Sequence, residues 1–269
     1  MKTKKLALAF ILSLTFSNLS FAGNKVSCSY SSSIGGSGCF FGNMQMYDQN
    51  SDVSDGRNYC TPTSAAMALS ALTFGGISYY AGSWTDNNFI GKSKEDRIEA
   101  FAFYLNTDVD DGTYWSGRKK FKKRDKDFRR ATENYDLANY RKLSDSRMRT
   151  LVRRGEVDIL SYGHYTENCT GTGSSKICTY SRNGGHSVAL NGYYYTPGSS
   201  TYTTSIFDPS GGIEKHKDIS YLSDRTTATG FLGWDLDYRT YGSKTYTLVR
   251  NSGSSYYGII DDVVGVNSN

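Results

Sequence analysis

Three residues in this chain have the types and the surroundings that a nucleophilic hydrolase needs: Cys60, His186 and Asp208. Cys60 stands at the start of an apolar segment, NYCTPTSAAMALSAL, in which Pro62 suits the first turn of a helix. The unpaired amides and the dipole of a helix N-terminus favour an anion, so a thiol there ionises more readily than in free solution. We therefore predict that Cys60 is a nucleophile.

A thiolate nucleophile needs a base, and the chain has only 3 histidines. His186 lies in GGHSVALNGYYY, at the rigid start of an apolar strand-like run, where an imidazole would be held in position. His164, in GHY, is expected at a strand end, and His216, in EKHKD, is expected on the surface. His186 is therefore the preferred base, and the alternative is that it is a structural histidine at a strand start.

Asp208 follows the strand-like residues SIF and precedes a Pro/Gly turn, PSGG. An acid at that end of a strand can face the neighbouring strand and accept the imidazole N–H. It would then fix the tautomer and stabilise the charged ring. Asp-Pro also begins turns for local reasons, so a plain turn role for Asp208 stays open.

The chain has 5 cysteines, and four of them form two closely spaced pairs. Cys28 and Cys39 bracket a Gly/Ser-rich loop, and Cys169 and Cys178 bracket the loop TGTGSSKI. Two disulfides between these neighbours are the simplest arrangement, and they leave Cys60 alone. An odd cysteine in a secreted chain is either an intermolecular link or a reactive thiol.

Residues 1–22 have the pattern of a secretory signal, with three lysines, the apolar run LALAFILSLTF and the cut site SFA. The apolar run is too short to span a bilayer and no second long one follows, so we expect no transmembrane segment. We expect the mature protein, residues 23–269, to be exported to the periplasm or to the outside of the cell.

The elements that would position the three residues are helices followed by strands. A helix is predicted at about 58–72, with Ala65, Leu69 and Leu72 on its buried face, and a second one at 93–105, opened by the capping box SKED. Strand-like segments separated by turn residues follow at 157–162, 187–195, 202–207, 246–250 and 256–266. Helices first and antiparallel strands afterwards predict an α+β fold.

The formal net charge of +5 says little about binding partners, but the stretch 118–154 is rich in Lys and Arg. A solvated helical face is the first interpretation. A docking patch for an anionic partner, such as an acidic substrate segment, a cell-wall polymer or lipid headgroups, is the second. No nucleic-acid module accompanies the stretch, so we do not expect nucleic-acid binding. Dispersed histidines and the lack of a phosphate-binding glycine loop predict no metal and no cofactor.

These motifs together resemble papain-fold cysteine peptidases, nearest to the bacterial group that is similar to bacteriocin double-glycine leader peptidases. The residues that carry the resemblance occur in the family's order: Gln49, YCTPTSAAM at 59–67, GHSV at 185–188 and FDP at 207–209.

The resemblance implies one papain-like domain over residues 23–269, with N-terminal helices packed on an antiparallel sheet. The basic residues at about 117–143 would be a helical insertion.

The resemblance also implies roles for the residues. Cys60 would be the nucleophile, His186 the general base and acid, and Asp208 its orienting partner. Gln49 would be the side-chain donor of the oxyanion hole, a donor typically worth about 2.7 to 4 kcal/mol in the transition state. The gap between Gln49 and the cysteine is long, so two further side chains stay open as donors: Gln45 and Asn58.

The activity implied is that of a secreted or periplasmic cysteine peptidase acting on a peptide or protein substrate. His186 would deprotonate Cys60, the thiolate would attack a carbonyl, and water would hydrolyse the thioester. A cell-wall amidase or a transamidating enzyme can use the same residues. Outside enzymology, the alternative is a non-catalytic secreted binding protein in which Cys60 is buried and inert.

Overall fold

The computed structural model describes residues 26–31, 36–42, 44–74, 89, 91–113, 152–153, 157–195, 198, 202–222, 225–229, 239–241, 245–248 and 256–266. The predicted signal at 1–22 lies outside these residues. The basic stretch 118–154 also lies outside them, except for Val152 and Arg153.

Helix α2 (Lys94–Leu105) begins at the capping box that the sequence predicts. The Ser93 side chain accepts a hydrogen bond from the Asp96 amide, and the Asp96 carboxylate accepts one from the Ser93 amide. The helix ends at Asn106, which adopts the left-handed conformation with φ 51°. The predicted core face is buried, and it consists of Ile98, Phe101, Ala102 and Leu105.

Helix α1 (Cys60–Phe74) begins at Cys60, close to the predicted start of the helix. Its side chains are buried on every face over residues 61–71. Ala65 and Leu69 are buried as predicted, but so is every other residue from 61 to 71, and the side chain of Leu72 lies outside what the structure describes. The physical reason for this burial is that the helix contacts the strands on one side and α2 on the other. Its many Ala, Ser and Thr side chains are small enough for such close packing.

The strands pack against α1, and together with the two helices they make the chain an α+β protein, as predicted. Ten strands are described: β1 (Val26–Ser31), β2 (Gly36–Phe41), β3 (Val157–Thr170), β4 (Ile177–Tyr195), β5 (Tyr202–Asp208), β6 (Ile213–Leu222), β7 (Arg225–Thr229), β8 (Arg239–Tyr241), β9 (Thr245–Leu248) and β10 (Tyr256–Val266).

Six of the strands close into a ring in the order β4-β3-β10-β9-β6-β5, because β5 pairs again with β4. All the pairings in the ring are antiparallel. The hairpin β1-β2 extends the sheet from one end of β4, and β7 pairs in parallel with the other end. The 19-residue strand β4 is therefore the strand on which the sheet is built.

The segment of β4 from 184 to 190 lies between two β-bulges. The register shifts against β3 at Asn183, because His164 pairs with Gly184 while Tyr165 pairs with Arg182. It shifts against β5 at Asn191, which is the extra residue between Leu190 and Gly192. Each bulge adds one residue to β4 and bends the strand locally.

Two of the sequence predictions need correction. The hairpin β1-β2 precedes the helices, because the Gly/Ser-rich segment 26–41 pairs as strands despite its loop-like composition. Strands β3 and β4 extend far beyond the predicted segments and meet at a short turn around 173–175. His164 therefore lies inside β3 and not at its end.

Both predicted disulfides are present, and each joins residues directly opposite one another in a hairpin. Cys28–Cys39 links β1 to β2, and Cys169–Cys178 links β3 to β4. Cys60 takes part in neither disulfide.

Among the residues that the structure describes, no helix combines the length and the apolar character needed to cross a membrane.

Candidate active site

Cys60 is the first residue of α1 and is partly buried. The chain turns into the helix through two backbone hydrogen bonds, from the Tyr59 amide to the Gly56 carbonyl and from the Thr63 amide to the Tyr59 carbonyl, both 2.9 Å. The first amides of a helix lack intrahelical acceptors and carry the positive end of its dipole. The sulfur of Cys60 is thus attached where a negative charge is stabilised.

His186 and Asp208 are joined by a hydrogen bond of 2.7 Å between His186 Nε2 and Asp208 Oδ1. His186 lies in β4, and Asp208 is the last residue of β5, the strand that pairs with β4. Since Phe207 lies opposite Ala189, Asp208 is on the same face of the sheet as His186 and diagonal to it. The sheet register therefore brings together the two residues proposed from the sequence.

Cys60 is connected to the same imidazole by a side-chain hydrogen bond. Because Asp208 holds Nε2, the nitrogen left for the thiol is Nδ1. The three side chains thus form one hydrogen-bonded series, with the histidine between the carboxylate and the sulfur. A series of this kind can supply a nucleophile, its base and a group that orients the base.

The electrostatics of the series favour ionised groups. Burial acts to lower the pKa of His186, but the hydrogen bonds and charges of Asp208 and Cys60 outweigh it and raise the pKa to about 9. Burial acts to raise the pKa of Asp208, but His186, Lys215 and the Ser210 amide outweigh it and lower the pKa to about 2. At neutral pH the imidazole is therefore protonated and the carboxylate is charged.

Asp208 has a second cationic partner, Lys215, which sequence reasoning missed. Lys215 Nζ lies 2.6 Å from Asp208 Oδ2, while Oδ1 accepts hydrogen bonds from His186 and from the Ser210 amide at 2.9 Å. The Asp208 side chain is only 6% exposed. The only available signal was the alternation in IEKHKD, which places Lys215 and Asp208 on one face once the strand pairing is known.

A buried group of hydroxyls fixes the cysteine helix to the histidine strand. Ser187 Oγ is hydrogen-bonded to Thr61 Oγ1 at 2.9 Å and to Ser161 Oγ at 2.8 Å. Ser64 Oγ donates to the Ser187 carbonyl at 2.9 Å. Thr61 and Ser187 directly follow the proposed nucleophile and base, so this network joins α1 to β4 next to the two residues. In the sequence, the only indication of this network was a hydroxyl residue directly after Cys60 and another directly after His186.

The positions of the other two histidines, His164 and His216, do not suit the proposed role of base. His164 lies two residues from Tyr162, whose ring meets those of both His164 and His186 edge to face. Burial, followed by the charges of His186 and Arg182, lowers the pKa of His164. His216 is exposed and faces Glu214 at 3.5 Å. The imidazole that meets both the thiol and the carboxylate is that of His186.

Gln49 is buried and lies in a loop that is tied to the turn after Asp208. The Gln49 backbone amide donates to the Pro209 carbonyl at 2.8 Å, and the Gly211 backbone amide donates to Asp48 Oδ1 at 3.0 Å. Gln49 Nε2 donates one of its two hydrogens to the Arg57 carbonyl at 2.7 Å. The same loop leads through Gly56 into the start of α1, so Gln49 belongs to the surroundings of the proposed triad.

The two competing oxyanion donors are engaged elsewhere. Asn58 Nδ2 uses its hydrogens on the carbonyls of Val109 and Asp110, at 2.9 and 2.6 Å. The Gln45 backbone amide donates to Ser70 Oγ, ten residues beyond Cys60 and hence about 15 Å further along the helix axis, and the Gln45 side-chain oxygen accepts from Tyr47 and Arg97. Of the three donors that the sequence left open, Gln49 is the one bonded to the turn that follows Asp208.

One group of three potential metal ligands occurs in the described residues, formed by Glu167, Cys169 and Cys178. Its two cysteines are joined in a disulfide, so they have no thiolate to offer a metal.

Comparison with known proteins provides no relative for this arrangement, since no protein-family model, no curated protein and no solved structure matches the chain.

Proposed function

We propose that this protein is a cysteine peptidase with Cys60 as the nucleophile, His186 as the general base and acid, and Asp208 as the orienting carboxylate. The observation that carries the proposal is the hydrogen-bonded series from Asp208 through His186 to Cys60, with Cys60 at a helix N-terminus. An inert, structural cysteine has no need of a charged imidazole and a buried carboxylate arranged behind it.

The proposed reaction starts from a thiolate beside an imidazolium. The thiolate attacks the substrate carbonyl and forms a tetrahedral oxyanion, which Gln49 Nε2 and the Cys60 amide would stabilise. Nδ1–H of His186 then protonates the leaving amine as a thioester forms. The neutral imidazole takes a proton from water, which hydrolyses the thioester and releases the acid.

We propose in addition that the fold is papain-like. In the structure, the helix that bears the cysteine packs against a closed set of antiparallel strands that bear the histidine and the acid. The two groups of elements supply opposite sides of the site, which supports the resemblance seen in the motifs.

We also propose that the protein works outside the cytoplasm. The two disulfides support this location, since such bonds persist in oxidising compartments and are rare in the cytosol. The signal-like pattern of residues 1–22 agrees with it.

A peptide-library digestion tests the reaction class. We expect the mature protein to create new amino termini in a mixed peptide library, detected by mass spectrometry after amine labelling. The matched control is Cys60→Ser, which keeps the size of the side chain and should create none. Release of ammonia without new termini would contradict a peptidase and indicate the amidase or transamidase alternative. Neither product, together with unreactive Cys60, would indicate a binding protein.

Replacing Gln49 with alanine should lower kcat by about 10² to 10³-fold, the typical cost of removing one oxyanion-hole donor. The KM should change little, since the lost hydrogen bond forms mainly in the transition state. Steady-state kinetics on a peptide found in the library digestion measures both constants.

The controls for this prediction are the two rejected donors. Gln45→Ala and Asn58→Ala should leave kcat near the wild-type value, because their side chains are engaged away from the proposed oxyanion. If Gln45→Ala instead showed the large loss of kcat, the assignment of Gln49 would be wrong.

A further inference from the structure

We propose that Lys215 is a positioning residue of this site, whose ammonium holds the Asp208 carboxylate in place and limits how tightly that carboxylate retains the proton on His186. The inference rests on the proposed function and adds to it a residue that the motifs do not contain. Lys215 acts through its contact with Asp208.

The first argument is the division of the Asp208 carboxylate between two cations. Oδ1 accepts from His186 Nε2 at 2.7 Å and Oδ2 accepts from Lys215 Nζ at 2.6 Å. The carboxylate is 6% exposed, while Lys215 is 35% exposed. A buried carboxylate whose second oxygen lost its donor would be left with an unsatisfied charge, so Lys215 also fixes the plane of the carboxylate.

The second argument is the strand register, which places Lys215 next to Asp208 on one face of the sheet. In the pairing of β5 with β6, Lys215 lies opposite Ile206, and Asp208 is the next residue on the same face of β5. Lys217 lies on this face as well but opposite Thr204, two positions further from Asp208. The pair Lys215 and Lys217 therefore offers the same charge at two distances from the carboxylate.

The third argument concerns the charged and titratable groups that face His186 in the described part of the chain. These are Cys60 from α1, Asp208 from β5, Lys215 behind it on β6, and Tyr162 and His164 from β3, with Arg182 of β4 beside His164. A like charge nearby disfavours the charged form of an acid or base. The Lys215 ammonium therefore opposes protonation of His186, and its removal should make the imidazole a stronger base.

The test is the titration of His186 in single variants at position 215. The full mature protein, with histidine labelled at Cε1, is titrated by NMR. With 3 histidines in the chain, His164→Gln and His216→Gln suffice to assign the signals. The variants are Lys215→Met, Lys215→Gln and Lys215→Arg, with Lys217→Met as the matched control. Far-UV circular dichroism verifies folding, and Lys215→Gln, which keeps a donor, serves if Lys215→Met does not fold.

We expect Lys215→Met and Lys215→Gln to raise the pKa of His186 by about 1 unit, the lower end of the typical effect of a neighbouring charge. Lys215→Arg, which retains the charge, and Lys217→Met should titrate as the wild type does. No shift in Lys215→Met and Lys215→Gln, a downward shift, or an equal shift in Lys217→Met would each overturn the inference.

A parallel measurement separates this inference from the proposed function. The rate of alkylation of Cys60 by iodoacetamide is followed against pH in the same proteins. If wild-type Cys60 reacts only at the pH of an ordinary thiol, the proposed function fails. If it reacts at lower pH while the position-215 variants leave the pKa of His186 unchanged, the proposed function stands and the role of Lys215 fails.

Discussion

Replacing Cys60 with alanine is expected to lower the rate of peptide hydrolysis by roughly 10⁴-fold or more, because loss of a nucleophile leaves only the catalysis supplied by binding and the oxyanion hole. The same change should abolish native labelling. The four other cysteines are held in disulfides, so intact mass after treatment with iodoacetamide under non-reducing conditions should show one adduct on the wild type and none on Cys60→Ala.

Two observations would contradict the role of Cys60. One is an adduct that persists on Cys60→Ala, which would place the reactive thiol elsewhere. The other is turnover by the alanine variant at the wild-type rate. Since residue 60 begins α1, circular dichroism should first show that both proteins have the same helix content.

Replacing Asp208 with asparagine is expected to lower kcat by about 10³ to 10⁴-fold, because the amide no longer holds the charged imidazole and can favour the wrong tautomer. The pKa of His186 should fall from about 9 towards its ordinary value of 6.5, since Asp208 contributes both a hydrogen bond and a charge that raise it. The alkaline limb of the rate profile should move down in pH accordingly.

The same ion pair links stability to pH, with a definite sign. The raised pKa of His186 stabilises the fold fully below about pH 6.5, and this contribution is lost as the pH rises through about 9. The lowered pKa of Asp208 stabilises the fold above its ordinary value of 3.8, and this contribution is lost as the pH falls towards about 2. The ion pair thus contributes most to the free energy of unfolding between about pH 4 and 6.5.

Urea unfolding from pH 3 to 10 measures this linkage. Asp208→Asn should flatten the wild-type dependence at both ends. The exposed Asp110 provides the control, because Asp110→Asn changes the net charge equally without touching the site. Matching profiles for wild type and Asp208→Asn would mean that the pair makes no net contribution to stability.

Local signals in the sequence were sufficient for the helices and for the residues at their starts. Ser93 and Asp96 determine the start of α2 through hydrogen bonds within one turn, and Cys60 precedes a proline in the first turn of α1. These interactions span three or four residues, so the sequence displays them directly. The burial of every face of α1 over residues 61–71 was not visible, because it depends on strands distant in the chain.

Local sequence patterns could not predict which strands pair with each other. The segment around Cys28 and Cys39 is rich in glycine and serine, yet it pairs as a hairpin because a disulfide and β4 hold it. Lys215 illustrates the same limit at the site. Its charge is visible in the sequence, but its contact with Asp208 follows only from the register of β5 with β6.

The two bulges of β4 have a consequence for how such a site can change. In a regular strand, inserting or deleting one residue exchanges the two faces for everything beyond it. A bulge instead absorbs the extra residue, so that Arg182 and Gly184, on either side of Asn183, pair with adjacent residues of β3. Deleting Asn183 or Asn191 should therefore straighten β4 and keep the pairing on both sides. A one-residue deletion between His186 and Asn191 would instead move the imidazole to the face opposite Asp208, with every residue of the proposed triad still present.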